Sequence, residues 1–178
     1  MAGPELEALR AAIPDAAKDI RLNLEAVLQP GTLSSAQRWL VVLASAYAAR
    51  NARLSAAVTA EARAAGLGED LIDDARSAAA LMAMNNVYYR FRHVVGKPSY
   101  AERPARLRMN KLARPSGPRA DLELACLAVS AINGCEACVR SHEAAVLEGG
   151  LTEEHVHDAI RIAATVNAAA VSLELDRG

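Results

Sequence analysis

An all-α fold follows from three features of this 178-residue chain. Ala, Leu, Arg and Glu fill most segments, and these residues favour helix. Runs that alternate polar with β-branched residues are missing, so strands have no support. Hydrophobic residues make up 52% of the chain, which is enough to bury a real core in one domain.

The expected helices lie near 15–28, 35–50, 53–65, 69–93, 119–133, 136–148 and 153–174. Several ends carry their own signals. Ser34 with Gln37 three residues on forms a capping box. Thr152 can cap the last helix, with Leu151 and Val156 at the staple positions around it. Gly66, Gly149 and Gly150 suit helix C-termini, where a left-handed residue is wanted. Asn133-Gly134 stops one helix and a new one starts at once, placing Cys135 at or before its first turn. Residues 96–118 hold Pro98, Pro104, Pro115 and Pro118 and read as a linker, with a short helix around Pro104 to Lys111.

The linker divides two similar halves. A shift of 84 residues lays Gly66-Leu67 on Gly150-Leu151, Leu43 on Leu127, Glu69 on Glu153 and Asp74 on Asp158. Both halves then read helix, helix, Gly-Leu turn, acidic start, long helix. One domain over 1–178 is expected, with a degenerate first half at about 15–95 and a catalytic second half at about 119–178. In this register Trp39, Asn51, Leu54 and Val58 stand where Glu123, Cys135, Cys138 and His142 stand, so only the second copy carries chemistry.

Charge and apolar runs exclude several classes. The formal net charge is -1, so no global basic field exists to hold a nucleic acid. The densest basic stretch, Arg103 to Arg114, is broken by Pro104, Leu107 and Leu112 and reads as a solvated loop. The longest apolar run, Trp39 to Ala49, is well short of the roughly 18 residues of a membrane span. Met-Ala-Gly-Pro-Glu at the start has neither the basic opening nor the apolar run of a secretory signal. A soluble, cytoplasmic protein is expected. In that reducing compartment, a close pair among the three cysteines points to catalysis or metal rather than to a structural disulfide scaffold.

The chemistry concentrates in Glu123-x11-Cys135-x2-Cys138-x3-His142. Cys135, Cys138 and His142 fall three and four residues apart, on one helical face. Glu123 lies on the preceding helix, and an antiparallel return could bring it alongside. A free thiol has a pKa of about 8.5 and is only a few per cent thiolate at pH 7. A helix N-terminus and a neighbouring imidazole both lower that value. His142 is placed to accept the Cys138 proton, directly or through one water. Glu123 would orient the imidazole; acting alone on the thiolate it would oppose ionisation through like charge.

Two other readings stay open on these residues. A structural zinc site could use Cys135, Cys138, His142 and one of Glu123, His155 or His157, although no second ligand pair is evident. The cysteines could also be inert. A c-type haem needs His directly after the second Cys, where Val139 stands, and a thioredoxin fold needs a βαβ pattern. Cys126, among Leu124, Leu127 and Val129, reads as a buried free cysteine. His93, His155 and His157 read as surface or capping residues. Met82, Met84, Tyr88 and Tyr89 read as core rather than a cofactor box.

The chain resembles the alkyl hydroperoxide reductase D (AhpD) family over nearly its full length. The segments that carry the resemblance are Ile13 to Leu24, Met84 to Arg90, Leu107 to Asn110, and Ser130 through Cys135 and Cys138 to His142-Glu143. The resemblance implies an all-helical homotrimer acting as a lipoyl-dependent peroxidase, an oxidoreductase that reduces alkyl hydroperoxides. It also implies that electrons pass to a partner peroxiredoxin, AhpC. The reductant is dihydrolipoamide, a substrate carried by a dehydrogenase-complex acyltransferase and regenerated by dihydrolipoamide dehydrogenase. No bound cofactor and no metal is expected. By motif position Cys138 is the peroxidatic cysteine, passing through a sulfenic acid. Cys135 is its disulfide partner and proton donor, and Glu123 and His142 form the proton relay. The chain departs from some relatives at Ala137, where they carry a second histidine. Carboxymuconolactone decarboxylase-type lyases resemble the same fold and work without a CxxC pair; Cys135 and Cys138 argue against that alternative.

Overall fold

A computed structural model describes residues 3–175; the expected domain span 1–178 and the Met1-Ala2 opening reach into residues outside it. The described residues are all-α, with no strand among them. In chain order the helices are α1 (Pro4–Ala11), α2 (Lys18–Val27), α3 (Ser35–Ala48), α4 (Ala52–Ala64), α5 (Glu69–Val95), α6 (Pro98–Ala101), α7 (Asn110–Ala113), α8 (Arg119–Ile132), α9 (Glu136–Glu148) and α10 (Glu153–Ser172). One 3-10 turn, Asp15–Ala17, leads into α2.

Sequence and structure differ in three places. α1 was not expected; Pro4 occupies its first turn and its apolar side buries Leu6 and Leu9. Two short helices, α6 and α7, flank Pro104 in place of one running from Pro104 to Lys111. Each has four residues, too few for a periodic apolar pattern to declare itself. Gly149 is not left-handed but has φ -75°. It is bare because α9 ends against α8, where an added Cβ would lie 2.7 Å from Ala120 Cβ. Gly66 and Gly150 do take left-handed backbone, at φ 87° and 90°.

The internal repeat is present in the helix boundaries. Shifted by 84 residues, α3 covers α8, α4 covers α9, and α5 starts where α10 starts. The turn between the first two helices of each half is left-handed at equivalent positions, Arg50 (φ 59°) and Gly134 (φ 65°). Gln37 Nε2 donates to Asp121 Oδ1 at 2.8 Å, and these two residues are equivalents of each other. Equivalent residues meet in this way near a pseudo-two-fold axis, which here runs between α3 and α8. The core wraps around that pair, with Val41, Val42 and Leu43 of α3 and Leu124, Leu127 and Val129 of α8 buried.

The two halves brace each other reciprocally. Asp74 on α5 accepts from the N–H groups of Ser116 and Gly117, just before α8, at 2.8 and 3.1 Å. Its equivalent Asp158 on α10 accepts from the N–H of Thr32, just before α3, at 3.2 Å. Asp74 is 1% exposed and Lys111 Nζ lies 2.9 Å from it. Burial pushes its carboxyl up, but Lys111 and the two N–H groups outweigh that and hold it below its ordinary value. The sign is therefore stabilising above the unfolded carboxyl's range, with the contribution lost as pH falls below about 4. Asp74→Asn should cost about 3 kcal/mol at pH 7, because it leaves two buried N–H groups and Lys111 without a charged partner. The cost should shrink toward zero in acid. Urea unfolding at pH 7 and pH 3 measures both, and a pH-independent cost would point to packing rather than charge.

Candidate redox site

The site forms at the junction of α8 and α9. α8 stops at Ile132; Asn133 caps it and Gly134 turns the chain in left-handed conformation. Cys135 then takes the N-cap of α9 with extended backbone (φ -98°, ψ 91°), and Cys138 falls at the third helical position. Their Cα atoms are 5.3 Å apart and their sulfurs are joined in a disulfide. Cys135 is fully buried, and Cys138 is 6% exposed. The first N–H groups of α9 have no intrahelical acceptor, and Cys135 makes no side-chain cap bond to them, so the positive end of the helix lies beside the disulfide.

His142 follows Cys138 by one turn of α9. α8 and α9 pack against each other, and the return brings Glu123 to it: His142 Nδ1 is 2.7 Å from Glu123 Oε2. Both side chains are mostly buried, 15% and 17% exposed. Hydrogen bonding to His142 chiefly holds the Glu123 carboxyl below its ordinary range, against burial; Arg119, 3.6 Å away, adds to it. Glu123 is therefore ionised at neutral pH, and Nδ1 of His142 carries a proton toward it. The other ring nitrogen, Nε2, lies 3.1 Å from Met82 Sδ on α5.

The structure brings together the residues picked from the sequence and adds a helix to them. α5 crosses the junction with Met82, Asn86, Arg90 and His93, which share one face at three- and four-residue steps. Asn86 donates to Ser130 Oγ and accepts from Asn133 Nδ2, each at 2.9 Å. Arg90 donates to the Asn133 carbonyl at 2.5 Å. His93 stands 3.6 Å from Glu136, the residue after Cys135, so it has a partner the sequence did not suggest. Met82 is buried as expected but touches the site rather than only the core. The missed signal was Asn85-Asn86-x3-Arg90, polar residues that directly follow the apolar run Ala78 to Met84.

The remaining cysteine and histidines fall outside the site. Cys126 is buried and unpaired; burial, with the Glu123 charge beside it, pushes its thiol up and keeps it a neutral thiol. His155 Nδ1 accepts from the Thr152 N–H and lies 2.9 Å from its hydroxyl, which makes it a capping residue of α10. His157 is exposed. Among the described residues no group of three or more His, Cys, Asp or Glu is disposed to hold a metal ion. Also among them, no helix is long and apolar enough to cross a membrane.

A disulfide at a helix start, backed by a Glu-His pair in a pseudo-symmetric all-α frame, defines a class of helical CxxC redox proteins. Residues 98–175 match the carboxymuconolactone decarboxylase family. The chain is 65% identical to the alkyl hydroperoxide reductase AhpD of Anaeromyxobacter sp. (strain K) over 170 residues, 96% of this chain and 91% of that protein. It is 48% identical to the AhpD of Gluconacetobacter diazotrophicus over 169 residues, 95% and 92% of the two chains. It is 45% identical to that of Methylocella silvestris over 169 residues, 95% and 94%. The chain belongs to the AhpD family.

Proposed function

We propose that this chain is an antioxidant thiol peroxidase that reduces alkyl hydroperoxides through Cys135 and Cys138. The observation that carries the reading is the Cys135–Cys138 disulfide at the start of α9, one turn from a histidine held by a carboxylate. Relatives named alkyl hydroperoxide reductase at up to 65% identity support it. The Cys138 thiolate attacks the outer peroxide oxygen; the O–O bond breaks, the alcohol leaves with a proton from the site, and Cys138 becomes a sulfenic acid. The Cys135 thiol attacks that sulfur, water leaves, and the disulfide forms. Glu123 and His142 take the Cys138 proton before attack and return it to the leaving oxygen.

A dithiol must then restore the pair by exchange through a mixed disulfide. We assign that role to dihydrolipoamide, borne by a dehydrogenase-complex acyltransferase and regenerated by dihydrolipoamide dehydrogenase. Over one cycle hydroperoxide and dihydrolipoamide become alcohol, water and lipoamide, so two electrons balance. The reduced pair would also pass two electrons to the disulfide of a partner peroxiredoxin, AhpC, from a cytoplasmic homotrimer. None of these steps requires a resident cofactor.

The match to the carboxymuconolactone decarboxylase family favours a second reading, a lyase. Thiol counting separates the two. One equivalent of cumene hydroperoxide on the reduced protein should remove two free thiols. Mass spectrometry should then show the peptide spanning Cys135 and Cys138 lighter by two hydrogens, with Cys126 still alkylatable after unfolding. An unchanged thiol count would favour the lyase, and a bridge to Cys126 would overturn the site.

A further inference from the structure

We propose that Met82 is a positioning residue for His142: with Glu123 accepting the Nδ1–H, its thioether accepts the Nε2–H of the protonated ring, and so favours the imidazolium that forms when His142 takes the Cys138 proton. Nδ1 is committed to a carboxylate at 2.7 Å. Nε2 then meets Sδ at 3.1 Å. Were Nε2 bare, two lone pairs would face each other at that distance. With a proton between them the contact is a hydrogen bond to sulfur, for which thioethers are weak but competent acceptors. Met82 is completely buried, and the His142 side chain is 15% exposed.

The repeat offers an internal comparison. His142 corresponds to Val58 in the first half, and Met82 to Val166 in the second; both valines are buried. Where the repeat lacks the histidine, it also lacks the sulfur. Met82 is further tied to the cysteine turn through Asn86, whose Nδ2 lies 3.9 Å from Sδ and 2.9 Å from Ser130 Oγ. One face of α5 thus positions the ring and the turn together. The charged and titratable groups around His142 are Glu123, with Arg119 behind it, on α8, and Cys138 on its own helix; the partner from α5 is the neutral thioether.

The inference rests on the redox reading above, and peroxide turnover of the unaltered protein tests that reading separately. The closing experiment compares the unaltered protein with Met82→Leu and Met82→Gln. Leucine keeps the volume without an acceptor, whereas glutamine restores an acceptor oxygen. Cys138 alkylation by iodoacetamide in the reduced proteins should be about three- to tenfold slower at pH 7 in Met82→Leu, because a weaker imidazolium stabilises the thiolate less. The rates should converge at pH 10, where the thiol is ionised regardless. Met82→Gln should recover most of the loss. Nitrogen-15 spectra of the reduced unaltered protein should show both ring nitrogens of His142 protonated at pH 7, the Cys138 proton having passed to the ring. A pH profile unchanged in Met82→Leu, or a bare Nε2 in those spectra, would overturn the proposal. A uniform slowing at every pH would too, since it reports altered access alone. If Met82→Leu fails to fold, the nitrogen-15 spectra decide.

Discussion

Cys138→Ser should consume alkyl hydroperoxide no faster than buffer, while Cys135→Ser should consume one equivalent and stop. The two cysteines share a disulfide but not an environment. Cys138 is the less buried residue of the two, has His142 one turn further along α9 and sits at the third helical position. Cys135 is fully buried at the N-cap. A serine hydroxyl is not appreciably ionised at neutral pH, so at 138 the substitution removes the nucleophile altogether. The magnitude follows from ionisation as well as from sulfur. An unperturbed thiol is a few per cent thiolate at pH 7, and lowering its pKa to about 7 raises that share roughly tenfold. At 135 the substitution leaves this activation in place and removes only the thiol that resolves the sulfenic acid. Dimedone should therefore label Cys135→Ser at Cys138 after one equivalent of peroxide, with no second turnover. Normal cycling by Cys135→Ser, together with a sulfenic acid at position 135 in Cys138→Ser, would reverse the roles.

The all-α fold and the repeat were legible because both are written in local signals. Ser34 and Gln37 form both hydrogen bonds of the expected capping box. Asn51, equivalent to Cys135, caps α4 through its side chain at 2.9 Å from the Leu54 N–H, and Leu54 and Val58 are buried. Those residues carry structure where the second half carries cysteines and a histidine. Cys135, Cys138 and His142 were legible because they lie within two turns of one helix. Glu123 was reachable because a short turn forces α8 and α9 to pack side by side. Met82, Asn86 and Arg90 were not, since they lie 53, 49 and 45 residues before Cys135 on a helix whose direction no local pattern sets. The exchange of Asp74 and Asp158 between halves was hidden for the same reason. The register showed that they were equivalent, but only the packing shows that each braces the other half.

His142→Phe and Glu123→Gln should each slow Cys138 alkylation at neutral pH, and the double variant should be little worse than the worse single one. Phenylalanine removes both the proton acceptor and the positive charge that stabilises the thiolate, so the Cys138 thiol should return toward its ordinary value. Glutamine at 123 keeps the shape but gives up the charge that faces Nδ1 at 2.7 Å. The carboxylate has no favourable route to the thiolate except through the ring; directly, its like charge would oppose ionisation. Its benefit must therefore vanish once the ring is gone. Relays of this kind contribute about 10²–10⁴-fold to a catalysed rate, and alkylation, which follows the thiolate share alone, should fall by roughly tenfold in each single variant. Groups that share one task give strongly non-additive losses, and that is the signature sought. The measurement is a double-mutant cycle on the alkylation rate from pH 5 to 10, with melting temperatures as the folding control. The ion pair is mostly buried, so some destabilisation is expected in each single variant and must be separated from the rate of the folded fraction. Additive losses would mean that Glu123 and His142 act on Cys138 independently. An unchanged pH profile in His142→Phe would leave the α9 N-terminus as the only source of activation, worth a few tenths to about 2 kcal/mol.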